Sequence, residues 1–185
     1  MYPHHLHTNR CLPDEVLAKP HQAKQIIEVI MLKEELMFDI NAELHQIENT
    51  RKPEEPKLLT NEQMDNHLLA RHIDAALNKV VERCQAYLLI PSPYVHRISN
   101  NHTHDWSEKS IFLAMPINWP LHCMDALRDA CHDYIVQYAQ ALFLAKIAPD
   151  TAAISQNMAE HRYSEINALL SHRNGGVRIH PTFLG

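Results

Sequence analysis

Residues 110–146 read SIFLAMPINWPLHCMDALRDACHDYIVQYAQALFLAK, and their reading decides the fold. Five apolar residues, Ile111 to Met115, run into a proline-bracketed corner, Pro116-Ile117-Asn118-Trp119-Pro120. Proline fixes φ and lacks an N–H, so Pro116 ends a regular segment and Pro120 suits the first turn of a helix. Beyond the corner, Met124, Leu127, Cys131, Tyr134, Tyr138, Ala141 and Ala145 recur three and four residues apart. Ile135, Leu142 and Phe143 widen that stripe. A helix apolar over this much of its circumference is expected at the centre of a bundle.

Working outward, Pro149-Asp150 ends this helix, and Asp150 can cap a last one over about 151–172. Its expected core face is Ile154, Met158, Ile166, Leu169 and Leu170, with His161, Arg162 and Glu165 in solvent. Asn174-Gly175-Gly176 is a helix stop, because Asn or Gly tolerates the left-handed C′ conformation. Upstream, Thr60-Asn61-Glu62-Gln63 reads as a capping box opening a helix to about Gln85. Leu69, Ile73, Ala76, Leu77, Val80 and Cys84 form its buried stripe. Between these helices, residues 86–118 form an arm in which Tyr94–Ile98 is expected to pair with Ile111–Met115 around a polar loop.

Near the start, Ile26, Ile30, Lys33, Met37, Ile40, Leu44 and Ile47 alternate four and three apart, which predicts a long helix from about His21 to Asn49. Apart from Lys33, these residues form a seam suited to partner helices of the same chain or of a neighbouring subunit. An ordinary amphipathic bundle helix accounts for it equally. The charged, twice-proline segment Arg51–Lys57 cannot continue that helix. The expected fold is therefore mainly α: a helical bundle of about four helices, with a small β-hairpin or extended arm and a C-terminal tail. The expected division is an irregular segment over 1–20, the long helix and linker over 21–57, a helical core over 58–172 and a docking tail over 173–185.

Composition narrows the function classes. A chain of 185 residues can bury a real core. No apolar run approaches the ~20 residues of a membrane span, and residues 1–15 lack the basic-then-apolar pattern of a signal peptide. The formal net charge of −5 carries no signature of nucleic-acid binding. The four cysteines make no CxxC pair; Cys123 and Cys131 lie roughly 12 Å apart along one helix, too far for a mutual disulfide. Free thiols in a reducing compartment are expected.

Few residue groups point to chemistry. His4, His5, His7 and Cys11 have no second ligand pair nearby to close a tetrahedral site. His102, His104 and Asp105 read as a loop tip. Cys131-His132 and His122-Cys123 are adjacent on a helix and so diverge by about 100°, which prevents either from forming a dyad. With three glycines, no phosphate cradle, and no HExxH or GxSxG motif, neither enzyme nor cofactor is expected.

The order of elements resembles the small head–tail connector (adaptor) proteins of tailed bacteriophages, particularly those of gut Bacteroides-type hosts (crAss-like phages). The residues that carry this are Ile111-Phe112-Leu113-Ala114-Met115-Pro116, Trp119-Pro120, the block Asp125–Tyr138, and Arg178-Ile179-His180-Pro181-Thr182-Phe183. They span about Thr60 to Gly185; the helix predicted over Ile26–Ile47 has no counterpart in the pattern. The resemblance implies a non-enzymatic virion protein of the neck, assembled in the host cytoplasm. It implies a homo-oligomeric, dodecameric ring beneath the portal protein, with other neck or tail proteins below and DNA passing non-specifically through its channel. Arg178, Ile179, His180, Pro181, Phe183 and Leu184 would dock the portal. Tyr94, Asn101, His102 and His104 would reach a neighbour from the arm, and Ile26, Ile30, Met37, Ile40, Leu44 and Ile47 would pack subunits together. The alternative is a coiled-coil assembly or regulatory adaptor module without enzymatic activity.

Overall fold

A computed structural model describes residues 24–52, 54–55, 57–58, 62–89 and 107–173, the side chains of 62–65 excepted. Two strands and four α-helices follow in the order β1 (Lys24–Leu32), α1 (Lys33–Thr50), α2 (Glu62–Arg83), β2 (Glu108–Pro116), α3 (Cys123–Leu144) and α4 (Pro149–Ser171), with a 3-10 turn at Gln85–Tyr87. The fold is mainly helical, with one small antiparallel sheet.

The first correction concerns residues 24–32, where a strand replaces the first half of the predicted helix. Ile27, Val29 and Met31 are buried in strict alternation, while Ile26 and Ile30 lie on the half-exposed face. Both periods are present in KQIIEVIML, and four β-branched residues in this stretch favour the pleated conformation once a partner strand exists. That partner is β2, with Ile27 opposite Leu113 and Val29 opposite Ile111. The expected strand Ile111–Met115 is therefore present, but it pairs with β1. Tyr94–Ile98, its expected partner, lies outside the described residues. The other edge of β2 is met by Leu88 and Leu89, whose N–H donates to Phe112 O at 3.0 Å.

The chain passes from β1 into α1 without a loop. Leu32 is still extended and offers no side-chain cap; Lys33 N–H bonds Ser107 O at 3.0 Å, and Glu34 and Glu35 sit at the positive end of the helix dipole. Leu36, Ile40 and Leu44 form the buried face. After α1 the chain returns through Leu58, which is buried and whose N–H bonds Glu48 Oε2 at 2.9 Å. One hydrophobic cluster includes residues of β1, α1, α2, β2, α3 and α4, so no boundary near 57 separates an N-terminal unit from the rest. Helix α2 buries Leu69, Ile73, Ala76, Leu77 and Val80, with Cys84 beyond it, as its spacing predicts. Its predicted cap, Thr60, lies outside the described residues.

The proline corner is a locked joint. Trp119 N–H bonds Pro116 O at 2.8 Å, and the indole Nε1 donates to Leu169 O, also at 2.8 Å, near the end of α4. The Gln25 amide donates to the carbonyls of both Pro116 and Trp119, which ties the start of β1 to the corner. Pro120 therefore opens a tight turn in which Cys123 N–H bonds Pro120 O, and α3 begins at Cys123, later than expected.

Helix α3 is central: β1, α1, α2 and α4 all pack on it. Helix α4 runs antiparallel to it, since Asp133 pairs with Arg162 and Gln140 with Ser155. Its N-cap is Ala148, with Pro149 at the first helical position, so Asp150 lies inside the first turn. Its buried face is Ala152, Ser155, Ala159, Ile166 and Leu170. Ile154 and Met158, expected in the core, are instead 61% and 51% exposed. The small Ala and Ser side chains lie against α3, and the larger apolar ones at 154 and 158 fall outside that stripe.

Candidate functional site

Three features are candidates for function: a tyrosine-lined groove, a polar seam across α3, and apolar side chains on outward faces.

The groove lies between α2, α3 and α4. Lys79, Tyr134, Tyr138, Gln156, Glu160 and Tyr163 line a space of about 240 Å³. The rings of Tyr134 and Tyr138 stack at 5.5 Å, and Tyr134 meets Tyr163 at 5.6 Å and a 40° tilt. The Arg83 guanidinium stands 4.5 Å over the Tyr163 ring, a cation–π geometry. Burial, with Tyr138 beside it, pushes the Tyr134 hydroxyl above the ordinary phenol range, so it remains a protonated donor. The Lys79 ammonium bonds Glu82 at 3.0 Å, and that bond holds it charged. Phenols, an amine, an amide and a carboxylate make this a wall of aromatic packing with a polar mouth.

The seam links α1, α3 and α4. His132 Nε2 and Asp39 Oδ2 are 2.8 Å apart; Gln137 donates to both Glu43 oxygens at 3.1 and 2.9 Å; Ser155 donates to Gln140 at 3.1 Å. Arg162 joins Asp133 at 2.9 Å and Glu165 at 2.7 Å. Burial raises the Glu43 carboxyl above its ordinary value of 4.5, the bond from Gln137 opposes this, and Asp133 and Asp39 add to the rise. Each buried amide thus has a partner, as a polar group removed from water requires. Sequence reasoning did not single out Gln137 and Gln140. The available signal was two glutamines within a helix that is apolar nearly all round, where each needs a bond from a neighbouring element.

The cysteines are set apart from the histidines beside them. Cys131 is 1% exposed, whereas its neighbour His132 faces Asp39 at the edge of α1. Burial pushes the Cys84 thiol up to about 12 and holds Cys131 well above the ordinary thiol range, so both are neutral thiols packed as small apolar groups. Among the described residues, no group of three or more His, Cys, Asp or Glu could hold a metal ion, and no helix is long and apolar enough to cross a membrane.

The third feature is apolar and faces outward. Phe38 on α1 is 72% exposed, and Ile154 and Met158, one turn apart on α4, are exposed as well. Ile117 and Leu121, on either side of Trp119, are 65% and 61% exposed. Helices α1 and α4 share α3 as their common neighbour and carry these side chains away from the core.

The residues expected to pack subunits are redistributed. Ile40 and Leu44 are fully buried in the chain's own core, and Met37 and Ile47 pack partly against it. Ile26 and Ile30 belong to a strand, so the six do not form one helical stripe. The core takes up the central part of the predicted seam, and the large apolar side chain that α1 turns outward is Phe38, which the heptad reading passed over. Arg178, Ile179, His180, Pro181, Phe183 and Leu184 lie outside the described residues, as do Tyr94, Asn101, His102 and His104, and His4, His5, His7 and Cys11.

No family model, curated protein or solved structure matches this chain.

Proposed function

We propose that this chain is a structural assembly protein that forms a homo-oligomeric ring, and that the ring is a head–tail connector of a tailed phage. The observation that carries the assembly reading is the outward placement of apolar side chains, Phe38 on α1 and Ile154 with Met158 on α4, on two helices that share α3. Two different patches on one subunit are what a head-to-tail contact requires, and repetition of that contact closes a ring when its rotation allows. Leaving three large apolar side chains in water is unfavourable, and burying each fully contributes about 1.5–3 kcal/mol.

The connector reading adds what the resemblance implies: a virion neck location, a dodecamer under the portal protein, and a channel through which DNA passes with non-specific contacts. In that reading the segment containing Arg178, Ile179, His180, Pro181, Phe183 and Leu184 docks the portal, and the arm carrying Tyr94, Asn101, His102 and His104 reaches a neighbouring subunit or tail protein. The coiled-coil adaptor alternative has less support, because Ile26 and Ile30 are in a strand and Ile40 and Leu44 are in the core.

Native mass spectrometry and negative-stain imaging, with and without a tailed-phage portal protein, test the reading. Rings near twelve subunits are expected. Phe38→Glu and Met158→Glu should each yield monomers whose stability is unchanged within about 0.5 kcal/mol, as for other surface substitutions. Mixing the two variants should give heterodimers, since one productive face survives on each. A wild-type monomer at every concentration, with no affinity for portal protein, would end the proposal.

A further inference from the structure

The corner carries an apolar patch separate from the two outer helix faces. Ile117 and Leu121 are 65% and 61% exposed, each two residues from Trp119, which is itself 2% exposed. The Trp119 indole bonds Leu169 O at 2.8 Å, so the patch sits beside the last turn of α4. The chain leaves α4 at the same place. His172 N–H closes on Leu169 O, and Arg173 bonds Leu170 O at 2.8 Å and stands 5.9 Å from the Tyr87 ring centroid. From that point the sequence continues as Asn174-Gly175-Gly176 and then Val-Arg-Ile-His-Pro-Thr-Phe-Leu-Gly over 177–185.

We propose that this segment folds back over the corner, with Ile179 and Phe183 covering Ile117 and Leu121. Three features of the chain favour this occupant. Residue 183 lies ten residues past Arg173, a reach of roughly 33 Å when extended, so the patch is well within range. Pro181 disfavours helix for the residue before it and biases the segment to extended chain, in which Ile179 and Phe183 fall on one side about 13 Å apart. The segment holds Arg178 and His180 and no acid, whereas Asp125, one turn beyond Leu121, is exposed in the first turn of α3.

Tethering decides between this segment and a second copy. A short tether presents its end at an effective concentration on the order of 1 mM, which a separate chain at micromolar concentration cannot match. The fold-back covers both apolar surfaces before assembly. It also leaves Ile179 and Phe183 ready to exchange onto another apolar surface that binds them better. It requires only a single subunit, so failure of the ring proposal would leave it standing.

The experiment places the photocrosslinking amino acid benzoylphenylalanine at Phe183 of the full chain, in an equal mixture of unlabelled and nitrogen-15 protein. Cross-links are expected within one chain, mapping to Ile117–Asp125, and Leu121→Glu should abolish them while the circular dichroism spectrum is unchanged. Hydroxyl-radical footprinting of a variant lacking residues 177–185 should show severalfold faster oxidation of Ile117 and Leu121, with Phe38 and Ile154 unaffected. Mixed-isotope cross-links would assign the patch to a neighbouring copy and overturn the proposal. Cross-links elsewhere, cross-links that survive Leu121→Glu, or unchanged footprinting rates would overturn it as well.

Discussion

Helix α3 and helix α4 lie side by side and divide their surfaces differently. Most of the circumference of α3 is buried within the subunit, including two glutamines that neighbouring helices satisfy. Helix α4 buries mainly Ala, Ser and two larger aliphatics, and it turns Ile154 and Met158 outward. Close approach of α4 to α3 along Ala152, Ser155 and Ala159 depends on small side chains, and Ile154 and Met158 fall outside that stripe. The buried residues of this helix pair and its outward apolar residues are therefore different side chains, and substitutions can address them separately.

The largest effect is expected at the joint that anchors both helices. Trp119→Ala removes a buried indole and its bond to Leu169, and should cost about 3–5 kcal/mol in chemical denaturation. Trp119→Phe keeps most of the packing and loses mainly that hydrogen bond, so it should cost markedly less. If the two variants are equal, the indole N–H is what holds the corner.

A smaller loss is expected where the two helices share a polar contact. Ser155→Ala leaves the buried Gln140 oxygen without its partner and should cost about 1–3 kcal/mol. Replacing both partners, with Gln140→Leu added to Ser155→Ala, should recover part of that loss. No recovery would mean that this bond contributes more than the satisfaction of one amide.

The smallest effect belongs to Glu43, at the border between α1 and α3. Its folded carboxyl is raised above 4.5 by burial, with Asp133 and Asp39 adding to the rise. The folded state therefore holds a proton in a window above 4.5 where the unfolded chain has released it. Stability contributed by this group falls as pH rises through that window. Glu43→Gln keeps an acceptor for Gln137 and removes the titration. The variant should melt slightly higher than wild type at pH 7 and converge with it below the ordinary carboxyl value. A variant that melts lower at pH 7 would show that the ionised carboxylate is the stabilising form.

Much of the helical core was legible because its signal is local. The stripe of α2 from Leu69 to Cys84 and the stripe of α3 through Leu127, Cys131 and Tyr134 recur at the helical period and are buried as that period requires. The strand at Ile111–Met115 was legible as well. Its partner was not, because Gln25 and Met115 meet across a long sequence separation that no nearby residue encodes. On α4, hydrophobicity alone ranked Ile154 and Met158 above Ala152 and Ala159, whereas distance between helices favours the smaller side chains.

By itself the sequence determined the helical class, the positions of α2, α3 and α4 to within a few residues, and the proline corner, because period, proline geometry and helix stops act over neighbouring residues. Only the tertiary structure decided that residues 24–32 are a strand. The stretch satisfies both the alternating and the helical period, and the row of backbone partners on β2 selects the first. The tertiary structure likewise decided which apolar side chains face outward, because that depends on which face of each helix its neighbours cover.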